Sequence, residues 1–241
     1  MQSQSTRTGD ASILASIAAG KLTARPETET PSTATKSGLQ ALGIGREQDT
    51  LLYVPKTYAH ETPAPLLVML HGAGGDARGF ISLFPSVADE YGMLVLAISS
   101  NEATWDIISA GGFGADIERL NLALGAVFAQ YAVDPNQIAL AGFSDGASYA
   151  LSVGITNGGL FSAIIAFAPG FVAPGRAEGE PRIFIAHGTL DVVLPIDQTS
   201  RVIAPQLTDA GYEVAYVEFE GTHSLPPDIV DRAIAWWLGG V

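Results

Sequence analysis

The sequence predicts an α/β protein: a mostly parallel central sheet with helices on both faces and no large lid domain. Strand-length apolar runs alternate with helix-length runs from about residue 48 onward, which is the order of a sheet built from crossover units. The run PLLVMLHG is almost continuous in apolar residues, as a strand covered on both faces is. The chain has 241 residues, 47% of them hydrophobic, which suits one large domain better than two small ones. No long insertion separates the alternating elements.

Taken in order, residues 1–45 are rich in Ser, Thr, Ala and Gly and read as a tail or cap that adds little core; residues 46–241 form the domain proper. DTLLYVP and PLLVMLHG are strands. Residues 78–91 are helical in pattern, but Pro85 must kink or divide them, because proline lacks the amide a helix interior needs. MLVLAIS is a strand, and 99–112 is a loop carrying Trp105 and Asp106. Residues 115–131 place Ile117, Leu120, Leu124, Val127 and Phe128 on one helical face. QIALAG is a strand and ASYALSVGI a helix. FSAIIAFAP and PRIFIAHG are strands, 198–210 a helix and YEVAYVEFE a strand. A last helix begins at Pro226-Pro227, where proline suits the first turn, and carries Trp236 and Trp237, at least one of them in the core.

Composition narrows the function. A net charge of −13 argues against nucleic acid and anionic lipid, both of which need a basic face. The chain has no cysteine, which excludes disulfides, thiolate chemistry and Cys-based zinc sites. Its four histidines are scattered and no H-E-x-x-H occurs, so no metal site is expected. The stretch from Asp145 to Arg176 holds no charge between its ends, but Asn157-Gly158-Gly159 and two prolines break it below membrane-spanning length. The N-terminal ILASIAA is a poor secretory signal, so a cytoplasmic location is expected.

The chemistry centres on Gly142-Phe143-Ser144-Asp145-Gly146, between a strand and a helix. Glycines on either side let the chain turn sharply and hold the serine hydroxyl in the open. A serine hydroxyl is a weak nucleophile at neutral pH and needs a histidine base oriented by an acid. In a strand–turn–helix site of this kind the chain order is Ser, acid, His, so His60 and His71 come too early. His223, in a loop before the last helix, is the expected base, and His187 a loop brace like His71. Asp191 is the expected acid, because it lies just beyond the strand PRIFIAH at the edge of the sheet where ligands gather. Asp197 reads as a helix N-cap and Asp209 as a solvated helix residue.

The negative oxygen formed when serine attacks a carbonyl needs preorganised donors. The backbone amides of Asp145, after the nucleophile, and of Ala73, in His71-Gly72-Ala73-Gly74-Gly75, are the expected oxyanion hole. Leu190, Val193 and Leu194 flank the acid loop as an apolar wall of the substrate pocket. Trp105 either lines that pocket or anchors its own loop, and Phe143 sits beneath the turn. Asp106 and Asp116 read as a loop carboxylate and a helix-start residue.

These pieces resemble the α/β-hydrolase superfamily and, within it, the phospholipase/carboxylesterase family of small serine esterases related to acyl-protein thioesterases. The likeness rests on LLYVP, PLLVMLHGAGGD, GFSDGASYAL, IAFAPGF, IAHGTLDVVLP and FEGTHSLPP and spans roughly residues 48 to 240. It implies an α/β-hydrolase fold, a Ser144–Asp191–His223 triad with Ala73 and Asp145 as oxyanion donors, and hydrolysis of small-molecule carboxylic esters without a cofactor. One departure is Asp145, where many relatives carry a neutral Gln; a carboxylate there disfavours anionic substrates. A thioesterase or acyltransferase would use the same machinery, and a non-catalytic ligand-binding protein on the same fold would be expected to lack one triad member.

Overall fold

The computed structural model describes residues 14–26, 36–46 and 49–239. Eight strands form one sheet: β1 (Gly38–Ala41), β2 (Thr50–Val54), β3 (Ala64–Leu70), β4 (Leu94–Ile98), β5 (Val133–Phe143), β6 (Ala163–Phe167), β7 (Arg182–Gly188) and β8 (Val214–Phe219). Their order is β1-β2-β4-β3-β5-β6-β7-β8. β2 runs antiparallel to β1 and β4, and every other neighbouring pair is parallel. The helices are α1 (residues 14–18), α2 (Ala77–Ile81), α3 (Pro85–Tyr91), α4 (Asp106–Ser109), α5 (Ala115–Gln130), α6 (Asp145–Thr156), α7 (Ser200–Asp209) and α8 (Pro227–Trp237). This is the α/β-hydrolase arrangement expected from the sequence.

The apolar runs are continuous because both faces of the sheet are buried. In β3, Leu66, Val68 and Leu70 belong to one core together with residues of α5, α6 and α7, while Leu67 and Met69 belong to a second together with residues of α2, α3 and α8. Strand alternation divides one sequence run between two cores. Trp237 belongs to the second core, at 3% exposure.

Pro85 divides residues 78–91 into two helices, as the sequence predicts, with Pro85 itself at the first position of α3. Other local features differ from the sequence expectation. The 99–112 loop contains the short helix α4. Asp197 is not an N-cap; it lies in a 3-10 turn, Ile196–Gln198, and pairs with Arg201 at 2.7 Å. The segment before residue 45 contributes to the fold: β1 hydrogen-bonds along β2, and Leu22 enters the core at 3% exposure. Leu22 is held from far along the chain. The Asn157 side chain accepts from the Leu22 amide at 2.8 Å and donates to the Gly20 carbonyl at 2.8 Å.

α6 is the central helix, and all of its residues after Asp145 are buried. Its uncharged sequence follows from that position. Ser148, Ser152 and Thr156, spaced four apart, each donate to the carbonyl one turn back. Their oxygens accept from the amides of Gly170, Ala173 and Gly175, each at 2.9 Å. A loop without regular structure thereby satisfies its buried amides against one helix face.

Gly146 sits where α6 meets β3. A Cβ there would lie 2.3 Å from the Leu70 carbonyl oxygen and 2.4 Å from that of His71. We expect Gly146→Ala to destabilise the protein by about 3 kcal/mol or more, since backbone on both sides must move. Gly125, inside α5, faces open space, and Gly125→Ala should stabilise by about 0.5–1 kcal/mol. Urea unfolding of the two variants reads both signs; equal effects would contradict this account of the packing.

Candidate active site

Ser144, Asp191 and His223 follow the carboxyl ends of β5, β7 and β8, so parallel strands deliver all three to one edge of the sheet. Ser144 has φ 57° and ψ −119°, a region L-residues rarely occupy. Its amide donates to the Phe167 carbonyl at 2.8 Å, and its carbonyl accepts from Ala147 and Ser148 at 3.0 and 3.1 Å. Gly142 is required as well, since a Cβ there would stand 2.2 Å from the Gly146 carbonyl oxygen. The glycine–serine–glycine spacing therefore answers a close contact of backbone with backbone.

The Ser144 hydroxyl lies 2.8 Å from His223 Nε2, and His223 Nδ1 lies 2.6 Å from Asp191 Oδ2. Asp191 is 6% exposed, and its Oδ1 accepts from the amides of Val193 and Leu194, both at 2.8 Å. Burial pushes this carboxyl up, but the Leu194 amide, His223 and the Val193 amide outweigh it and leave the group below the usual carboxylate range. Asp191 is thus ionised where a histidine base works.

Phe143 does not lie beneath the turn. It is half-buried, with its ring 4.8 Å from the His223 ring. With Phe80 and residues 71–76 it lines a cleft of about 410 Å³. Gly72 approaches so closely that a Cβ there would be 3.2 Å from Ser144 Cβ. Ala73 is exposed in the same loop, and Asp145 is the first residue of α6. The Asp145 carboxylate accepts from the Thr104 hydroxyl at 2.5 Å.

Trp105 does not line the pocket. It is fully buried, stacked on Tyr149 with ring centroids 4.9 Å apart, and its indole N–H donates to the His71 carbonyl at 2.9 Å. It anchors the loop after β3. A second tie joins the Gly74 amide to the Ala103 carbonyl at 2.7 Å. Asp106 and Asp116 are both buried and cap each other's segments. Asp116 accepts from the Asn101 and Asp106 amides, and Asp106 from those of Gly114 and Asp116. A single sequence shows no sign of this pair, because its bonds close a loop of irregular length. Leu190 and Val193 are exposed on the acid loop, and Leu194 is half-buried beside Gly170.

Among the described residues no group of acids and histidines is placed to hold a metal ion, and no helix is long and apolar enough to cross a membrane. The family model for phospholipase/carboxylesterase matches residues 109–236, just over half of the chain and including Ser144, Asp191 and His223. The solved esterase PE8 is 27% identical, with a TM-score of 0.59 over 75% of this chain and 97% of that one. The carboxylesterase of Bacillus cereus shares the fold at 21% identity, with a TM-score of 0.62 over 81% of this chain and 96% of that one. A poly(3-hydroxybutyrate) depolymerase of Ralstonia pickettii is 33% identical in an alignment 119 residues long that covers 41% of this chain. That match spans about a quarter of the depolymerase, 24% of its length.

The two remaining buried histidines carry a thermodynamic consequence. His71 Nε2 accepts from the Ser100 amide at 3.0 Å, which leaves its proton on Nδ1, 2.7 Å from the Gly72 carbonyl. His187 is wholly buried. Burial lowers the pKa of both, outweighing the neighbouring acceptors and acids that raise it. As pH falls below ~6.5 the unfolded chain takes up two protons that the folded protein resists. Stability therefore falls with pH, by up to about 1.4 kcal/mol per unit for each histidine, until the folded pKa values are reached. Asp106 acts with the opposite sign, since burial and then the Asp116 charge raise its carboxyl. Urea midpoints at pH 7.5, 6.5 and 5.5 should decline, and His71→Asn should shallow the slope; a flat profile would contradict neutral buried imidazoles.

Proposed function

Because the chain belongs to the phospholipase/carboxylesterase family and is a serine ester hydrolase, we propose that it cleaves small carboxylic esters through a triad of Ser144, His223 and Asp191. The observation that carries this reading is the unbroken chain of contacts from the Ser144 hydroxyl through His223 to Asp191, at 2.8 and 2.6 Å. His223 Nε2 takes the hydroxyl proton as Ser144 Oγ bonds to the ester carbonyl carbon. The carbonyl oxygen becomes an oxyanion held by the amides of Ala73 and Asp145, at a helix start whose dipole favours negative charge. Collapse of this intermediate expels the alcohol, which receives the proton from His223, and leaves an acyl-serine. Water then gives a proton to His223 and adds to the acyl carbon. When that intermediate collapses, the acid leaves and the proton returns to Ser144. Asp191, ionised throughout, keeps Nδ1–H of His223 directed away from the serine and stabilises the imidazolium.

The open cleft lined by Phe80 and Phe143 supports short acyl chains and small soluble esters. The stretch shared with the depolymerase favours a second substrate reading, short hydroxyalkanoate oligomers, whose ester bonds the same groups would cleave. The Asp145 carboxylate beside the nucleophile supports discrimination against anionic esters.

Release of p-nitrophenol from acetate, butyrate and longer esters tests the reading. Ser144→Ala should lose about ten-thousand-fold or more in kcat, and an organophosphate should label Ser144 alone. Undiminished turnover in Ser144→Ala would defeat it. kcat/KM should rise with pH along a one-proton limb, since only neutral His223 accepts the serine proton. Asp145→Gln should raise kcat/KM for a carboxylate-bearing ester several-fold relative to its neutral analogue; an unchanged ratio removes Asp145 from specificity.

A further inference from the structure

Asp191 receives a fourth donor that the proposed reaction does not use. Its Oδ1 is filled by two amides, while its Oδ2 meets His223 Nδ1 at 2.6 Å and also His187 Nε2 at 3.0 Å. His187 Nε2 is equally close to the Leu194 carbonyl, at 2.9 Å. Both of these neighbours are acceptors only, so the proton must sit on Nε2 and be shared between them. His187 Nδ1 is then a bare lone pair, and the Ser200 hydroxyl, 2.7 Å away, donates to it. His187 and Ser200 are both 0% exposed, so no water competes for these positions.

From this geometry we propose that His187 and Ser200 are positioning residues for the triad. Ser200 supplies the partner that the buried Nδ1 of His187 needs and so fixes the plane of the ring, and His187 holds Asp191 Oδ2 where it captures the proton-bearing nitrogen of His223. The inference rests on the reading of Ser144, His223 and Asp191 as the catalytic groups. Without the Ser200 hydroxyl the buried Nδ1 lone pair has no partner, and the ring is no longer held in the plane that aims Nε2–H at Asp191. Without the His187 N–H, the negative charge on Oδ2 is shared with one donor fewer and binds the His223 imidazolium more strongly.

The charged and titratable groups around His187 come from two loops, a strand and a helix. Asp191 and, beyond it, His223 stand on the loops after β7 and β8. Glu218 is the neighbour of His187 in register on β8. Arg201 of α7 binds Glu218 through two contacts of 2.8 and 2.6 Å and also holds Asp197, so Glu218 is neutralised by its own partner. Asp191 is left as the acid that His187 serves.

The test compares Ser144→Ala, His187→Leu, His187→Gln and Ser200→Ala on p-nitrophenyl acetate from pH 5 to 9, with the folded fraction of each measured by near-ultraviolet circular dichroism. His187→Leu should lose about 10–100-fold in kcat with KM within about twofold, and Ser200→Ala somewhat less. The midpoint of the ascending limb in His187→Leu should move upward by roughly half a unit or more. His187→Gln, which returns an N–H to the place of Nε2, should recover most of the rate and the original midpoint. A structural role alone would reduce the folded fraction without moving the midpoint. Ser200→Ala removes a single hydroxyl and leaves the packing intact, so the comparison survives a poorly folded His187→Leu. Wild-type midpoints and kcat in the folded His187→Leu and Ser200→Ala proteins, beside an inactive Ser144→Ala, would overturn this inference alone. A fully active Ser144→Ala would overturn the catalytic reading and this inference with it.

Discussion

The contact on which the rest of the site depends is made by backbone atoms. The start of α6 presses onto the last residues of β3, with Gly146 against the carbonyl oxygens of Leu70 and His71 and Gly142 against Gly146 itself. No side chain fits between them. This closeness leaves Ser144 a positive φ and lifts its hydroxyl clear of the helix. It also brings the loop after β3 alongside the serine, so the proposed nucleophile and the proposed oxyanion donors share one joint. The strain at Ser144 persists because strands on both sides and a fully buried helix hold the ends of the turn.

Around that joint the structure resolves a recurrent cost of catalytic edges, which is that irregular loops bring polar backbone into the interior. Each loop is matched to a polar side chain on a regular element or to a partner loop. The hydroxyls of Ser148, Ser152 and Thr156 receive the loop after β6. Asp106 and Asp116 close the loop after β4, and Arg119 reaches its Ser99 carbonyl at 2.8 Å. Trp105 and His71 tie the loop after β3. Each buried polar group that would be a liability alone becomes a constraint on loop position when paired.

The electrostatics of the cleft follow the same logic. The chain as a whole is strongly acidic, yet the acid at the centre of the site is saturated with donors, two amides on one oxygen and two imidazoles on the other. That arrangement keeps charge on Asp191 despite burial. The buried histidines are kept neutral by the same exclusion of water, so each donates a hydrogen bond without adding a positive charge.

The sequence by itself determined the strand–helix order, the two-sided burial of the sheet, and the residues that meet in the site. Each of these is written locally: in apolar runs, in the glycines around Ser144, and in the order of Ser144, Asp191 and His223 along the chain. Tertiary structure alone decided that Phe143 faces the cleft and Trp105 does not, that Asp106 and Asp116 cap each other, that Asn157 holds Leu22, and that His187 serves Asp191. β1 also escaped the pattern, because four residues of mixed polarity carry no readable period until β2 pairs with them. The division has one physical reason. Periodicity and turn chemistry act over neighbours in sequence, whereas the destination of a lone aromatic ring or a buried polar group depends on which distant segment packs beside it.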